Sequence, residues 1–274
     1  MIGRLGEGGM TRVFVARDLR VGRHVAIKVL EDIQPELTER LVAAARGIAG
    51  CRHDNLVTIH EVGEHGGAPY LVLEYLRGQP LSRLIENQKL PYTRAVAIVS
   101  SILRGLQCAH EHGIIHGDLE PDNVFVTDAG AIKVLDLGIL QAMRSSHDAQ
   151  AHIIRGTPPY MSPEQWDPSL AIDPLTDIWA CGILLYCMIC GRHPLDPLAG
   201  AQLRVTATRE LPMPSMAGAA PADVPPRLIE IVDRCLRKDQ AQRWQSAADL
   251  RAALDTLERS APGGSPPDPA PSRR

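Results

Sequence analysis

Aromatic side chains are scarce in this sequence of 274 residues, of which they make up only 4%. So few rings cannot form the stacking surface on which many proteins bind single-stranded nucleic acid. An excess of one charge is also lacking, because 29 basic and 32 acidic side chains give a net charge of −3 at pH 7. A net charge this small gives the whole chain no attraction to nucleic acid or to an anionic membrane. We therefore expect no nucleic acid partner.

A long hydrophobic run is absent as well. The longest apolar stretch, residues 179–190, has 12 residues, whereas a helix that spans a membrane needs about 20. Arg4 and Glu7 interrupt the start of the chain, so no secretory signal peptide is visible there. The sequence predicts a cytoplasmic protein with no membrane segment in this chain, in which residues 179–190 form a buried core helix.

The six cysteines do not follow the spacing of a zinc finger or of a disulfide framework. Cys187 and Cys190 form a C-x-x-C pair, but the pair lies inside the apolar stretch and no second pair is near it. A structural zinc site needs four ligands at suitable spacing. We therefore expect buried core thiols, with a metal or redox role as the alternative, and the free thiols suggest a reducing compartment.

Apolar residues make up 45% and charged residues 22% of the chain, as is typical of a globular protein. Alternating apolar residues predict two strands within residues 10–30, around a turn at Val21 and Gly22, and two more strands at 56–62 and 70–76. Between these pairs, residues 35–49 carry apolar side chains at helical spacing. That spacing places Ala44 on the inward face of the helix, together with Leu37. The first part of the chain is thus a small sheet with one helix.

From residue 77 onward the pattern is mainly helical. Helices are predicted at 92–111, 176–191, 227–237 and 247–259, and short strands at 124–126 and 132–135. The chain as a whole is therefore expected to be α+β. The last 15 residues contain five Pro and two Gly, which predicts a disordered tail, with a short proline-rich ligand as the alternative.

A glycine-rich segment, GEGGM at residues 6–10, precedes the first predicted strand pair. Glycines there would let backbone N–H groups approach phosphate oxygens, although a tight turn would use the same residues. Lys28 follows on the next strand, in the sequence VAIK. A lysine among apolar strand residues is either a phosphate ligand or an edge lysine whose head reaches solvent.

The most informative stretch is HGDLEPDN at residues 116–123, followed by VLDLG at 134–138. Asp118, Asn123 and Asp136 form a carboxylate–amide–carboxylate set, and oxygen ligands of this kind suit Mg²⁺. Two loops of turn-favouring polar residues are the plainer alternative. Three further segments follow in the chain: GTPPYMSPE at 156–164, DIWACG at 177–182, and Arg243.

In this order and spacing, the motifs resemble those of the protein kinase family, and specifically of bacterial Ser/Thr protein kinases. The resemblance covers residues 3–257 and implies a two-lobed α+β fold, with a small β-rich lobe at 1–76 and a larger, mainly helical lobe at 77–259. It also implies ATP-dependent transfer of the γ-phosphoryl group to a hydroxyl of a protein substrate. The sequence HGD at 116–118 is similar to that of small-molecule phosphotransferases as well, but the SPE and DxWxxG segments argue against that class.

The resemblance assigns nucleotide-binding roles by position. Lys28 corresponds to the lysine on the α- and β-phosphates, and Leu73 to the residue at the back of the cleft that limits access to it. Glu74 and Leu76 correspond to the hinge whose backbone binds adenine. The nucleotide-binding residues implied in this way are Gly6, Gly8, Val13, Ala26, Lys28, Glu74, Leu76 and Phe125.

The resemblance assigns catalytic and structural roles in the same way. Asp118 corresponds to the residue that accepts the proton of the substrate hydroxyl, and Thr157 to the residue that helps to place this hydroxyl. Asn123 and Asp136 correspond to the ligands of Mg²⁺, for which Mn²⁺ is a possible substitute. Glu164 and Arg243 match a structural ion pair, and Asp177 matches the carboxylate that braces the catalytic loop.

Four positions depart from the family pattern. Thr11 replaces the third glycine of the loop, Gly117 the arginine before the catalytic aspartate, Glu120 the lysine two positions after it, and Ala44 the glutamate that would pair with Lys28. Such losses predict a kinase of reduced activity, with a pseudokinase acting as a nucleotide-binding or regulatory scaffold as the alternative.

Two further expectations follow from the resemblance. The arginine that Gly117 replaces normally binds a phosphorylated activation segment, so activation should not require phosphorylation of Ser145, Ser146 or Thr157. Only five residues precede Gly6, whereas the first strand of related kinases starts earlier. We therefore expect the natural small lobe to begin upstream of Met1, with a weakly held small lobe as the alternative.

Overall fold

The computed structural model describes residues 1–8, 11–31, 33, 35–86, 88–138, 158–167, 169–199, 202, 203, 206, 208 and 212–259. Its architecture is α+β, as the sequence predicts. Strands occupy the first part of the chain and helices most of the second, and the segments 156–157 and 260–274 of the sequence analysis lie outside the described residues.

A five-stranded antiparallel sheet forms the first part of the chain. Its strands lie side by side in the order β1-β2-β3-β5-β4. They are β1 (Gly3–Gly8), β2 (Thr11–Asp18), β3 (Arg23–Leu30), β4 (Ile59–His65) and β5 (Ala68–Glu74). The strand β3 is central, so Lys28 lies between Val13 of β2 and Leu71 of β5.

One helix, α1 (Pro35–Ile48), follows β3 and packs against β4 and β5. Leu41 and Ala45 bury their side chains against Leu30 and Leu71 of the sheet in a small core. Ala44 is half-buried and directly precedes the buried Ala45.

A three-stranded sheet lies at the start of the second part. It consists of β6 (Gly78–Pro80), β7 (Val124–Thr127) and β8 (Ile132–Val134), paired antiparallel in that order. Gly78 has a φ of +142°, and a Cβ at this position would collide with the carbonyl oxygen of Val126. Glycine is therefore required where the chain crosses from β5 into this sheet.

Helices follow in the second part of the chain. They are α2 (Leu81–Ile85), α3 (Tyr92–Glu111), α4 (Pro163–Trp166), α5 (Leu175–Cys190), α6 (Pro226–Cys235) and α7 (Ala247–Arg259). The helix α3 packs against α5 and α7, and α6 packs against α5 and α7.

The helix α5 is the centre of the large core. Each of its 16 residues is buried, which a helix that is apolar on all sides requires. This confirms the predicted core helix, and it also places Cys187 and Cys190 among the buried thiols, with all six cysteines free. Of the helices that the structure describes, none combines the length and the apolar character needed to cross a membrane.

Candidate active site

A cleft of about 330 Å³ opens between the five-stranded sheet and the three-stranded sheet. The first sheet contributes side chains from β1, β2, β3 and β5, and the second contributes Phe125 of β7 together with the residues that follow β8. The cleft is lined by Leu5, Gly6, Val13, Ala26, Lys28, Val57, Leu73, Glu74, Tyr75, Leu76, Pro80, Asp122, Phe125, Leu135 and Asp136. Most of these side chains are apolar, and the charged ones are those of Lys28, Glu74, Asp122 and Asp136.

Lys28 and Asp136 form an ion pair in this cleft. The Nζ atom of Lys28 lies 2.5 Å from Oδ2 of Asp136, although the two residues are 108 positions apart in the sequence. The side chain of Lys28 is 11% exposed and that of Asp136 27%. Asp136 has a φ of +56°, a left-handed conformation that costs free energy for a residue with a Cβ. Strained backbone of this kind is concentrated at functional sites.

The loop that carries Asp118 is held from behind by Asp177, near the start of α5. Its carboxylate accepts hydrogen bonds from the backbone N–H groups of His116 and Gly117, both at 2.9 Å, and from Nε2 of His110 at 2.8 Å. Burial raises the pKa of Asp177, but the hydrogen bond and charge of His110, with the other donors, lower it below its usual value. An ionised Asp177 thus braces the loop.

The imidazole of His116 fixes the same loop from within. Its Nε2 donates to the carbonyl oxygen of Leu135 at 2.8 Å, and its Nδ1 accepts from the backbone N–H of Asp118 at 3.2 Å. Since one ring nitrogen donates and the other accepts, the ring is neutral. It connects the position of Asp118 to the residue that directly precedes Asp136.

Asn123 joins the two acidic positions. Its Nδ2 donates to the carbonyl oxygen of Asp118 at 2.8 Å, and its own carbonyl oxygen accepts from the N–H of Leu135 at 2.8 Å. The residue ends a short 3-10 turn, Pro121–Asn123, and is 9% exposed. The structure therefore brings Asp118, Asn123 and Asp136 into one connected unit.

Glu74 at the end of β5 is fixed by contacts that the sequence analysis missed. Its Oε1 accepts from Nζ of Lys133 at 2.6 Å and from the N–H of Thr58 at 2.8 Å. Lys133 lies on β8 and also donates to the carbonyl oxygen of Leu56 at 3.3 Å. An ion pair therefore connects the two sheets beside the cleft. The only sequence signal for it is the charged residue between Ile132 and Val134.

A second ion pair is buried in the helical part. Two guanidinium nitrogens of Arg243 lie 2.7 and 2.8 Å from the carboxylate oxygens of Glu164, and both side chains are at most 1% exposed. Burial raises the pKa of Glu164, but the hydrogen bonds and charge of Arg243 lower it below its usual value. Glu164 also accepts from Oγ1 of Thr176 at 2.9 Å. The pairing that the resemblance implies is therefore present.

The remaining predicted positions are distributed as follows. Gly8 ends β1, and Thr11 begins β2. Asp118 borders a separate small pocket with Gly117 and Tyr160 rather than the wall of the main cleft. The structure thus collects the predicted nucleotide-binding residues, apart from Gly8, around one cleft, with Asp118 and Asn123 beside it. Thr157, Ser145 and Ser146 lie outside the described residues.

Gly117 and Gln165 explain how the loop tolerates one departure from the pattern. Gly117 has a φ of +72°, and a Cβ there would meet no atom within 4 Å. Its carbonyl oxygen accepts from Nε2 of Gln165 at 2.6 Å. Sequence reasoning did not single out Gln165, since a glutamine next to Glu164 carries no signal of a distant backbone partner.

A family model of the protein kinase domain matches residues 1–253. This chain belongs to the protein kinase family, and its α+β architecture is the protein kinase fold. The crystal structure of the PknI kinase domain of Mycobacterium tuberculosis superimposes with a TM-score of 0.70 over 93% of this chain and 94% of that one, at 23% identity.

The curated relatives are Ser/Thr kinases of bacteria. The chain is 36% identical over 263 residues to the serine/threonine-protein kinase Pkn1 of Myxococcus xanthus, and 35% identical over 263 residues to PknB of Mycolicibacterium smegmatis. A probable serine/threonine-protein kinase of Clostridium perfringens is 33% identical over 259 residues. These matches cover 91–93% of this chain but only 37–41% of the relatives' length.

Proposed function

We propose that this chain is the catalytic domain of an ATP-dependent Ser/Thr protein kinase that transfers the γ-phosphoryl group to a protein hydroxyl at a reduced rate. The observation that carries the proposal is the contact of 2.5 Å between Lys28 and Asp136 in the cleft. Phosphoryl transfer needs a group that binds the phosphates and a group that binds their metal ion. The ammonium group of Lys28 can serve the first need, and the carboxylate of Asp136 the second.

The cleft supplies distinct surfaces for the parts of ATP. Val13 and Ala26 on one side and Phe125 on the other would hold the adenine ring, and the backbone at Glu74 and Leu76 would supply its hydrogen bonds. The backbone of Gly6 and Gly8 would cover the phosphates, and the ammonium group of Lys28 would bind them. An apolar cleft with a few convergent polar groups is the usual form of a nucleotide site.

Asn123 and Asp136 would hold the Mg²⁺ ion. The donor set fits, because Nδ2 of Asn123 is used by the carbonyl oxygen of Asp118, which leaves the amide oxygen as a ligand. Lys28 contacts only Oδ2 of Asp136, so the carboxylate has a second oxygen for the ion. Carboxylate and amide oxygens suit Mg²⁺ and Mn²⁺ alike, and the bound ion would neutralise charge on the phosphates.

Asp118 would accept the proton of the substrate hydroxyl. The loop around it is fixed by His116, Asn123 and Asp177, so its position needs no rearrangement before the reaction, which is the main protein contribution to phosphoryl transfer. Thr157 would help to place the same hydroxyl.

The broader setting is also part of the proposal. Residues 1–76 and 77–259 form the two lobes of the domain, and residues 260–274 lie outside the described residues. A protein bearing Ser or Thr is the substrate, and the site of action is the cytoplasm. The chain spans only about two fifths of the length of these relatives. The proposal therefore concerns the phosphoryl transfer of this chain and no other activity of the full-length relatives.

A second candidate is a pseudokinase that binds nucleotide or a partner without turnover. Three substitutions favour it. Ala44 leaves Lys28 without a glutamate from α1, Gly117 removes the arginine of the loop, and Glu120 puts a negative charge where the family has a lysine. Removing one partner of a buried ion pair lowers stability by about 3–5 kcal/mol. Only part of that free energy would appear in the activation barrier of phosphoryl transfer.

Turnover of Mg-ATP separates the two candidates. A kinase should lose at least about 100-fold in rate on Asp118→Ala, since proton acceptance contributes about 10²–10⁴-fold. Asp128→Ala, at an exposed position in the turn between β7 and β8, is the matched control and should keep the original rate. Equal rates in the original chain and in Asp118→Ala would leave only the pseudokinase.

A further inference from the structure

A group of metal-ligating side chains lies away from the cleft, where the loop after α1 meets the end of α3. Cys51 lies in that loop, Cys108 in the last turn of α3, and His112 directly after it. The two Sγ atoms are 3.3 Å apart. With one ring nitrogen of His112, the three possible ligand atoms all lie within 4.8 Å of one another.

The local fold brings these side chains together. Cys108 and His112 are four positions apart, so they share one face at the end of the helix. Cys51 is held by a hydrogen bond of 2.9 Å from its backbone N–H to the carbonyl oxygen of Ile48, the last residue of α1. The ring of His112 is fixed by a 2.8 Å hydrogen bond from Nδ1 to the carbonyl oxygen of Cys108.

We propose that Cys51, Cys108 and His112 bind a zinc-class divalent cation with an open position towards solvent. Two thiolates and one imidazole are ligands that select Zn²⁺ rather than the hard cation Mg²⁺. Cys51 is buried, Cys108 is half-buried and His112 is exposed. The ion would therefore be bound on the protein side by the buried Cys51. On the solvent side, next to His112, a water molecule would occupy the fourth coordination position.

Only small movements are needed to accept the ion. Two sulfurs bound to one tetrahedral zinc at about 2.3 Å are roughly 3.8 Å apart. The two Sγ atoms are now 3.3 Å apart, so their distance has to increase by about half an ångström. Rotation of the half-buried Cys108 side chain can supply this change. Both thiol protons leave to solvent as the ion binds, so the charge of two thiolates is balanced by the cation.

The site would join two parts of the protein. One part is the loop that follows α1, and the other is the end of α3, after which His112 lies four residues before His116 of the catalytic loop. None of the three ligands lines the nucleotide cleft. Metal binding is therefore separable from nucleotide binding, and the site goes beyond the proposed kinase activity.

Titration of the metal-free, reduced protein with Co²⁺ tests the proposal in the absence of nucleotide. The expected result is one Co²⁺ per chain, with a thiolate-to-cobalt absorption band in the near ultraviolet that Zn²⁺ removes and excess Mg²⁺ does not. Zn²⁺ should also raise the melting temperature of the original chain in a concentration-dependent way. The absence of a thiolate band would overturn the proposal.

Variants identify the ligands. The double variant Cys51→Ala/Cys108→Ala should lose the band, and His112→Ala, a surface change that leaves the core intact, should weaken Co²⁺ binding by about tenfold or more. The matched controls are Cys190→Ala, in the other cysteine pair, and His65→Ala, at an exposed histidine. A band that survives in the double variant, or unchanged affinity in His112→Ala, or a band lost in Cys190→Ala, would contradict the proposal.

Discussion

At the scale of single residues, the partner of Lys28 is the feature with the widest consequences. Position 44 of α1, which the resemblance aligns with the glutamate partner of this lysine, carries Ala instead of a carboxylate, and Asp136 contacts the ammonium group at 2.5 Å. One carboxylate thus serves both as the partner of Lys28 and as a proposed ligand of Mg²⁺. Competition between these two roles would slow turnover, in line with the reduced rate that we propose.

The variant Ala44→Glu should raise the rate of phosphoryl transfer by roughly 30- to 150-fold, which corresponds to about 2–3 kcal/mol in the barrier. A carboxylate on α1 would bind Lys28 and leave Asp136 to the metal ion. Steady-state assays at saturating Mg-ATP measure this. Ala44→Gln, which has the same shape without the charge, is the control, and an equal gain in both variants would contradict the explanation.

Position 117 leads to a second prediction about single residues. With glycine there, the loop has no guanidinium that could bind a phosphorylated activation segment. The double variant Ser145→Ala/Ser146→Ala should therefore keep its activity within about twofold, because no charge-assisted contact is lost. Phosphorylation mapping together with activity assays checks this, and a large loss of activity would show that another cation has taken over the role.

Residue-level prediction from sequence succeeded where a motif fixes the residue and failed where a contact depends on tertiary structure. Asp177 and the pair of Glu164 with Arg243 are identified from motifs, and the structure places each against its expected partner. Lys28 and Asp136, also identified from motifs, contact each other in the cleft. Contacts of other residues could not be foreseen, because nothing in the local sequence specifies a partner dozens of positions away. These residues are Lys133, Gln165, His110, Cys51 and Cys108.

At the scale of secondary-structure elements, long periodic segments were predicted well. The helices α3 and α7 have the predicted bounds of 92–111 and 247–259, because a 3.6-residue apolar pattern is unambiguous over several turns. The strand β4 begins at Ile59, three residues later than predicted. The short elements α2 and β6 were missed, since five or fewer residues carry too little periodicity and are stabilised by their neighbours.

The ion pair between Glu164 and Arg243 ties α4 to the segment before α7. Replacing Glu164 by Gln should lower the free energy of unfolding by about 3–5 kcal/mol, because a buried guanidinium is left without its charge partner. Urea unfolding measures the loss. The control is Glu230→Gln in the exposed pair with Arg227, which should change stability by less than about 1 kcal/mol; equal losses in the two variants would be inconsistent with this account.

His193 links the loop after α5 to the 3-10 turn Pro158–Tyr160. Its Nε2 donates to the carbonyl oxygen of Pro159 at 2.7 Å, and its Nδ1 accepts from the N–H of Leu195 at 3.1 Å. Burial lowers the pKa of His193 below its usual 6.5, against the opposing effects of Pro159 and of Asp196. The neutral ring is therefore the form that the fold selects.

This lowered pKa predicts a pH dependence of stability. The contribution of His193 is fully present above pH 6.5, the value for the unfolded chain, and it is lost as the pH falls from there through the lower folded-state pKa. Unfolding free energies measured from about pH 7.5 to about pH 5 should thus decline less steeply in His193→Gln than in the original chain. Identical slopes would mean that the histidine is not selected in its neutral form.

At the scale of the whole molecule, the cleft lies between two sheets that are joined by the ion pair of Glu74 with Lys133. Nucleotide bound there contacts both sheets, so binding should stabilise the molecule as a unit. At a concentration 1,000 times the dissociation constant, ATP should add about 4 kcal/mol to the free energy of unfolding.

A thermal shift assay tests this expectation for both candidate functions. Mg-ATP should raise the melting temperature more than ATP alone, because the proposed ligands Asn123 and Asp136 would bind the nucleotide through the metal. Lys28→Met should reduce the shift in both conditions. A melting temperature unaffected by nucleotide at millimolar concentration would exclude both the kinase and the nucleotide-binding pseudokinase.

The support of Gly117 has a consequence for how this protein can change over evolutionary time. Its backbone N–H donates to Asp177 and its carbonyl oxygen accepts from Gln165. The conformation of the loop is therefore maintained by residues that lie far from it in the sequence. Side chains of the loop can then change while Asp177 and Gln165 keep its backbone in place.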